Sequence, residues 1–147
     1  MLLKTGHFGE IEIGDESVIT FEGGIPGFED MHRFVILEDD EQSLLKWLQS
    51  IDNAELAFII VNPFAIKKDY DIEIKDEVVK QLRINEPSDA VIYSIVVVPE
   101  DTSKISMNLK APIVINSKTK VGAQVVLEDD KYTVRHYILE EMNRQEG

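Results

Sequence analysis

Period-two alternation, interrupted again and again by turn-forming clusters, restricts the fold of this chain more than any other feature. In GEIEI (9–13) Glu10 and Glu12 alternate with Ile11 and Ile13. The acidic pair Asp15 and Glu16 then turns the chain into SVITF (17–21), so the two runs read as a hairpin. Further strand-like runs are RFVILE (33–38), LAFIIVN (56–62) closed by Pro63, AVIYSIVVV (90–98), ISMNL (105–109), PIVIN (112–116), AQVVL (123–127) and YTVRHYIL (132–139). LLKWLQS (44–50) fits a strand or a short helix. The clusters PEDTS, SKTKVG and EDDK separate the later runs.

One segment has a different period. In IKDEVVKQLRI (74–84) Ile74, Val78 and Leu82 recur every four residues, with Asp76 and Glu77 near the start and Lys80 and Arg83 near the end. That charge order suits a helix dipole. Many short strands with one helix argue for an antiparallel arrangement, since a parallel sheet needs a crossover helix between most strands. The expected class is mainly β, an antiparallel barrel or sandwich with one short helix at about 74–84. At 147 residues the chain reads as a single domain, 1–147, long enough to remove roughly 68–70% of its unfolded surface from water. The polar end EEMNRQEG is expected to fray from about 141.

Composition removes whole classes of function. With no cysteine there are no disulfides and no thiolate metal sites. The opening MLLKTGHFGEIEI lacks the apolar stretch of a secretory signal, and the run AFIIV (57–61) falls far short of the ~20 residues that span a bilayer. A soluble, cytoplasmic protein is expected. The formal net charge of −13 disfavours direct contact with nucleic acid or an anionic membrane and favours a basic protein partner, although solubility alone also accounts for such a surface.

EGGIPGFE (22–29) invites comparison with a phosphate-binding loop. A Walker loop needs lysine and then serine or threonine after its second glycine, and a dinucleotide loop must open a long helix. Here Gly27 is followed by Phe28 and Glu29, and a strand begins a few residues later, so the glycines read as a turn around Pro26. His7, His32 and His136 are scattered, EDDE (38–41) and EDD (128–130) lack calcium-loop spacing, and no serine sits in a nucleophile-elbow context. Neither an enzyme nor a cofactor is indicated.

The order of the unusual segments carries a resemblance. GIPGFE (24–29), LQSIDNAELAFIIVNP (48–63), the tyrosine of KDY (68–70), NLKAPIVIN (108–116) and QVVLEDDKYTVRH (124–136) together closely resemble the FliW flagellar assembly factor family, over nearly the whole chain. The resemblance implies a compact antiparallel β-barrel-like domain with no enzymatic activity and no cofactor, monomeric on its own. It further implies two protein partners, flagellin and the translational repressor CsrA, with CsrA antagonised allosterically and flagellin translation thereby coupled to flagellin secretion. The expected partner-binding residues are Phe28 and Glu29 in the glycine corner, Glu38, Asp39 and Asp40, Asp69 and Asp71, and Asn108 and Pro112. As residues alone, Phe28 reads rather as a core plug that fixes the corner than as an exposed anchor, and Asn108 and Pro112 as features of a strand edge. Two other classes remain open from the residues themselves: an acidic module or chaperone for another basic protein, and a small β-barrel enzyme with converging His and carboxylate groups.

Overall fold

In a computed structural model the described residues are 1–38 and 43–146, with side chains described to residue 144. Asp39 and Asp40 lie outside them. Eleven strands occur among the described residues: β1 (Leu2–Thr5), β2 (Gly9–Glu12), β3 (Ile19–Thr20), β4 (Arg33–Leu37), β5 (Leu45–Ser50), β6 (Ala57–Val61), β7 (Ala90–Val97), β8 (Ser106–Met107), β9 (Ile113–Asn116), β10 (Val121–Gln124) and β11 (His136–Tyr137). Three helices accompany them: α1 (Pro63–Ile66), α2 (Asp76–Gln81) and α3 (Ile138–Glu146). The mainly β expectation holds.

The barrel arises from one strand used along both edges. β7 pairs with β6 on one side through Ile59↔Val96, Ile60↔Ile95 and Val61↔Ser94. On the other side its first half pairs with β9, from Ala90↔Asn116 to Tyr93↔Ile113, and its end pairs with β8. Because β6, β5, β4, β3, β10 and β9 are hydrogen-bonded in that order, the β7–β9 pairing closes a ring of seven strands. All its pairings are antiparallel except β10 with β3, which meet in parallel at Val121↔Thr20. Closure removes the free sheet edges that invite aggregation.

Alternation places the core. Phe34 and Leu48 point into the ring with Ile19, Phe21, Ile60, Ile113 and Ile115, and Phe21 meets Phe34 edge-on at 5.4 Å between centroids. The neighbouring Val35 faces outward, where Leu3 and Ile13 of the β1–β2 hairpin cover it. A second core cluster, including Tyr70, Met107, Leu109, Leu127, Tyr132 and Ile138, lies between the barrel and α1 and α3.

The motifs that looked distinctive in sequence prove to be ties between segments. Gln49 is buried, and its side-chain amide donates to the carbonyls of Asn53, Ala54 and Leu56 at 3.1–3.3 Å, while Ser50 Oγ accepts from Asp52 and Asn53. LQSIDNAEL is therefore the closed loop joining β5 to β6. Asn116 performs the same service at the end of α2, donating to Leu82 and Arg83 carbonyls at 2.9 and 3.0 Å.

Several local expectations need correction. GEIEI pairs with β1, from Leu2↔Glu12 to Thr5↔Gly9, and not with SVITF. The turn is Gly6-His7-Phe8, held because Thr5 Oγ1 donates to the Gly9 carbonyl and accepts from Phe8; Asp15–Ser17 then forms a 3-10 turn that leads the chain away. The expected helix at 74–84 spans only Asp76–Gln81, since Arg83 adopts φ 57° and ends it. Pro63 opens a further helix, its Asn62 N-cap accepting from Phe64. From Ile138 the chain is helical, in the stretch expected to be a strand end and a frayed tail. Ile138 is buried, as is Glu141, which meets Lys67 at 3.4 Å, Arg144 at 3.1 Å and His136 at 3.6 Å.

Asp89, also buried, fixes the start of β7. Its carboxylate accepts from Asn85 and Glu86 and lies 2.9 Å from Lys118 Nζ. Lys118 chiefly, with the two backbone N–H groups, holds its pKa below the ordinary value. The unfolded chain therefore takes up this proton at a higher pH than the folded chain, so the contribution is full above about pH 4 and is lost as pH falls through the lower, folded value. Asp89→Asn is expected to lower Tm at pH 7 and to shrink the fall in Tm between pH 5 and pH 3. An acid-limb fall equal to that of the parent chain would contradict this assignment.

Candidate partner-binding surface

The glycine corner is a rigid turn with an exposed tip. Gly24 N–H donates to the Phe21 carbonyl at 2.9 Å, Phe28 N–H to Ile25 at 2.7 Å and Met31 N–H to Phe28 at 3.0 Å. Gly24 and Gly27 adopt φ +67° and +90°, and a Cβ on Gly24 would lie 2.6 Å from Glu29 Cα. Only glycine satisfies both demands at residue 24. Ile25, 1% exposed, is the residue that plugs the core, whereas Phe28 is 42% exposed and rests edge-on against Phe58 at 5.4 Å. Phe28 is thus both a packing residue and an accessible aromatic. Beside it, Glu29 accepts from Gly27 N–H at 3.1 Å, which draws its pKa below the ordinary carboxylate value.

The remaining expected site residues fall into three places. Glu38 lies 3.8 Å from Lys46 at the end of β4. Asp69 pairs with Lys67 at 3.1 Å, an interaction that lowers its pKa. Lys67 is pulled down by burial, yet Asp69 and Glu141 outweigh that and raise it. Asp71 is exposed, and its N–H donates to Tyr132 Oη at 2.8 Å. Tyr70, whose ring meets Tyr132 at 4.7 Å, donates its hydroxyl to the Leu109 carbonyl at 2.7 Å, and burial raises its pKa. The tyrosine of KDY is therefore a buried strut. Asn108 is half-buried and closes its own turn, Oδ1 accepting from Lys110 and Ala111, and buried Pro112 accepts from Val125 through its carbonyl.

What the fold brings together is a slot with acidic walls. Openings of about 210 and 560 Å³ adjoin along Glu73, Lys75, Leu127 and Glu128. One end is formed by Asp71 and Lys131, the other by Gly23, Gly24 and Pro26, so the glycine corner and the Asp71 segment share one surface. Lys75 and Glu128 form an exposed ion pair across it, raising the lysine pKa and lowering that of the carboxyl. On the other side of residues 72–74 lies a predominantly apolar groove of about 630 Å³, lined by Phe64, Ile72, Ile74, Val79, Ile84 and Ile92 among others. Sequence reading missed Glu73, Lys75 and Glu128. The available signal was the alternation in DIEIK (71–75), which the helix assigned from residue 74 cut in two. Among the described residues no cluster of three or more His, Asp or Glu side chains could hold a metal ion, and no helix is long and apolar enough to cross a membrane.

The sequence profile of the FliW protein family matches residues 2–138. The flagellar assembly factor FliW of Ruminiclostridium cellulolyticum is 55% identical over 147 residues, covering 99% of both chains. This chain belongs to the FliW family. The corresponding factor of Alkaliphilus metalliredigens is 46% identical over 99% of this chain and 91% of its own. A crystal structure of the flagellar assembly factor FliW is similar with a TM-score of 0.88 and 33% identity, covering 94% of this chain and 96% of that one. The barrel, its three flanking helices and the slot thus belong to a FliW-family domain.

Gly24→Ala tests the corner directly. Forcing a side chain into the left-handed region costs about 1–3 kcal/mol, and the backbone contact at 2.6 Å adds to that. The expected result is a lower urea midpoint at unchanged m-value. An unaltered midpoint would show that the corner rearranges freely.

Proposed function

We propose that this FliW-family protein is a cytoplasmic, non-catalytic partner switch, monomeric when alone. It binds newly made flagellin, and it binds the repressor CsrA, preventing CsrA from blocking translation of the flagellin message. Flagellin that accumulates occupies the protein and leaves CsrA free to repress; flagellin that has been secreted releases it to engage CsrA again. Flagellin translation is thereby coupled to flagellin secretion.

Membership of the family is the observation that carries this reading, and the surface chemistry supports it. Flagellin ends in amphipathic helical segments, and the apolar groove beside Phe64 has the lining such a segment buries. For CsrA the relevant quantity is charge. A body carrying −13, docked next to an RNA-binding surface, projects negative potential over a Debye length, ~8 Å at physiological salt, and lowers RNA affinity without covering the RNA site. This mode of antagonism is allosteric in its effect and requires no direct contact between the protein and nucleic acid.

Neutralising Glu38, Asp39, Asp40, Asp69 and Asp71 to the corresponding amides is expected to weaken antagonism, read as RNA retained by CsrA in a gel-shift titration. The deficit should be largest at low ionic strength and should narrow as salt is raised. Full antagonism by the neutralised variant at every salt concentration would overturn the electrostatic mechanism.

A further inference from the structure

The barrel has no free strand edge within its ring, yet two extended segments beside it carry backbone groups with no partner. Residues 71–75 run without turn, bend or helix, and their burial alternates, with Asp71, Glu73 and Lys75 exposed and Ile72 and Ile74 half-buried. Asp71 N–H donates to Tyr132 Oη, but the backbone N–H and C=O of Ile72, Glu73 and Ile74, and the N–H of Lys75, have no hydrogen-bond partner among the described residues. In an extended chain successive amides point to opposite edges, so those of Glu73 and Lys75 share the edge of Asp71 and face the slot.

The opposite wall is built in the same way. Val125 N–H donates to the Pro112 carbonyl at 2.9 Å and Leu127 N–H to Lys110 at 2.8 Å. The intervening Val126 and the following Glu128 therefore turn their amides away from the barrel, and these too are unpaired among the described residues. Both residues line the slot. Water satisfies such groups in the free protein, and a second backbone satisfies them better when it also buries apolar surface.

Side chains say what that backbone should carry. Asp71, Glu73 and Glu77 line the slot with no ion pair in direct contact among the described residues, acting on Lys131 and Lys75 only at longer range, while those two cations contact Asp129 and Glu128. Val78, Val125 and the exposed Val126 supply apolar surface between the charges. The Lys75–Glu128 pair that bridges the slot is exposed on both sides, so solvent screens it and it opens readily.

We propose that the slot is a strand-addition site. It takes one extended segment of a partner protein in which basic and apolar residues alternate, hydrogen-bonded along residues 71–75 with its cations against Glu73 and Glu77. This inference stands apart from the proposed switch, because neither flagellin nor CsrA enters its test.

The probe is a capped hexapeptide alternating lysine and valine, added to the full-length isotope-labelled protein and followed by NMR amide exchange. At saturation the amides of Glu73, Lys75, Val126 and Glu128 are expected to slow at least fivefold, with those of β5 unchanged. Methylating alternate peptide nitrogens, which keeps every charge and removes the backbone donors, is expected to weaken binding at least tenfold. Absence of binding, binding that leaves those four amides unprotected, or equal binding of the methylated peptide would each overturn the proposal.

Discussion

β7 makes hydrogen bonds along both of its edges, to β6 on one side and to β9 and then β8 on the other, and the rest of the molecule is arranged around that double use. A strand buried between two neighbours needs side chains that pack on both faces, which is what the run AVIYSIVV supplies. Asp89 fixes its first residue, and Asn116, opposite Ala90 in β9, anchors the end of α2. The ring thereby sets where residues 71–75 can lie, because their helix is tied to the barrel at one end and Tyr70 is tied to Leu109 at the other.

A closed ring and an open slot serve different ends. The ring satisfies its own backbone groups and leaves no edge for non-specific pairing, so interaction is confined to what lies outside it. Outside lie the exposed Phe28 on its glycine corner, the acidic slot, and the apolar groove past Ile72 and Ile74. The two hollows share Ile72 and Glu73 as lining residues, so the same short stretch borders both.

Much of this is legible in the residues because apolar, β-branched runs stand between turn clusters, and in β4 the two faces separate as a period of two requires. Phe34 and Val35 face opposite sides as their neighbours predict, and Pro63 ends β6 where expected. The errors have physical causes. The N-terminal hairpin is hard to pair from sequence because Gly6-His7-Phe8 is a weak turn signal until Thr5 is seen to bond on both sides of it. The C-terminal helix resembles a tail in sequence because its polar residues look solvated, whereas Glu141 is buried against Lys67, Arg144 and His136. Tyr70 is an internal strut that its neighbours do not announce, since a side chain that bonds to backbone far away in sequence leaves no local pattern. The slot stayed hidden for the same reason: its two walls are about fifty residues apart, as the Lys75–Glu128 pair across them shows.

The partner switch itself is tested most directly by calorimetric titration of the purified protein with CsrA and with monomeric flagellin, each alone and then in competition. A partner switch binds both tightly, and flagellin releases CsrA from the preformed complex. Binding to neither, or binding to both with no effect of flagellin on the CsrA complex, would contradict it.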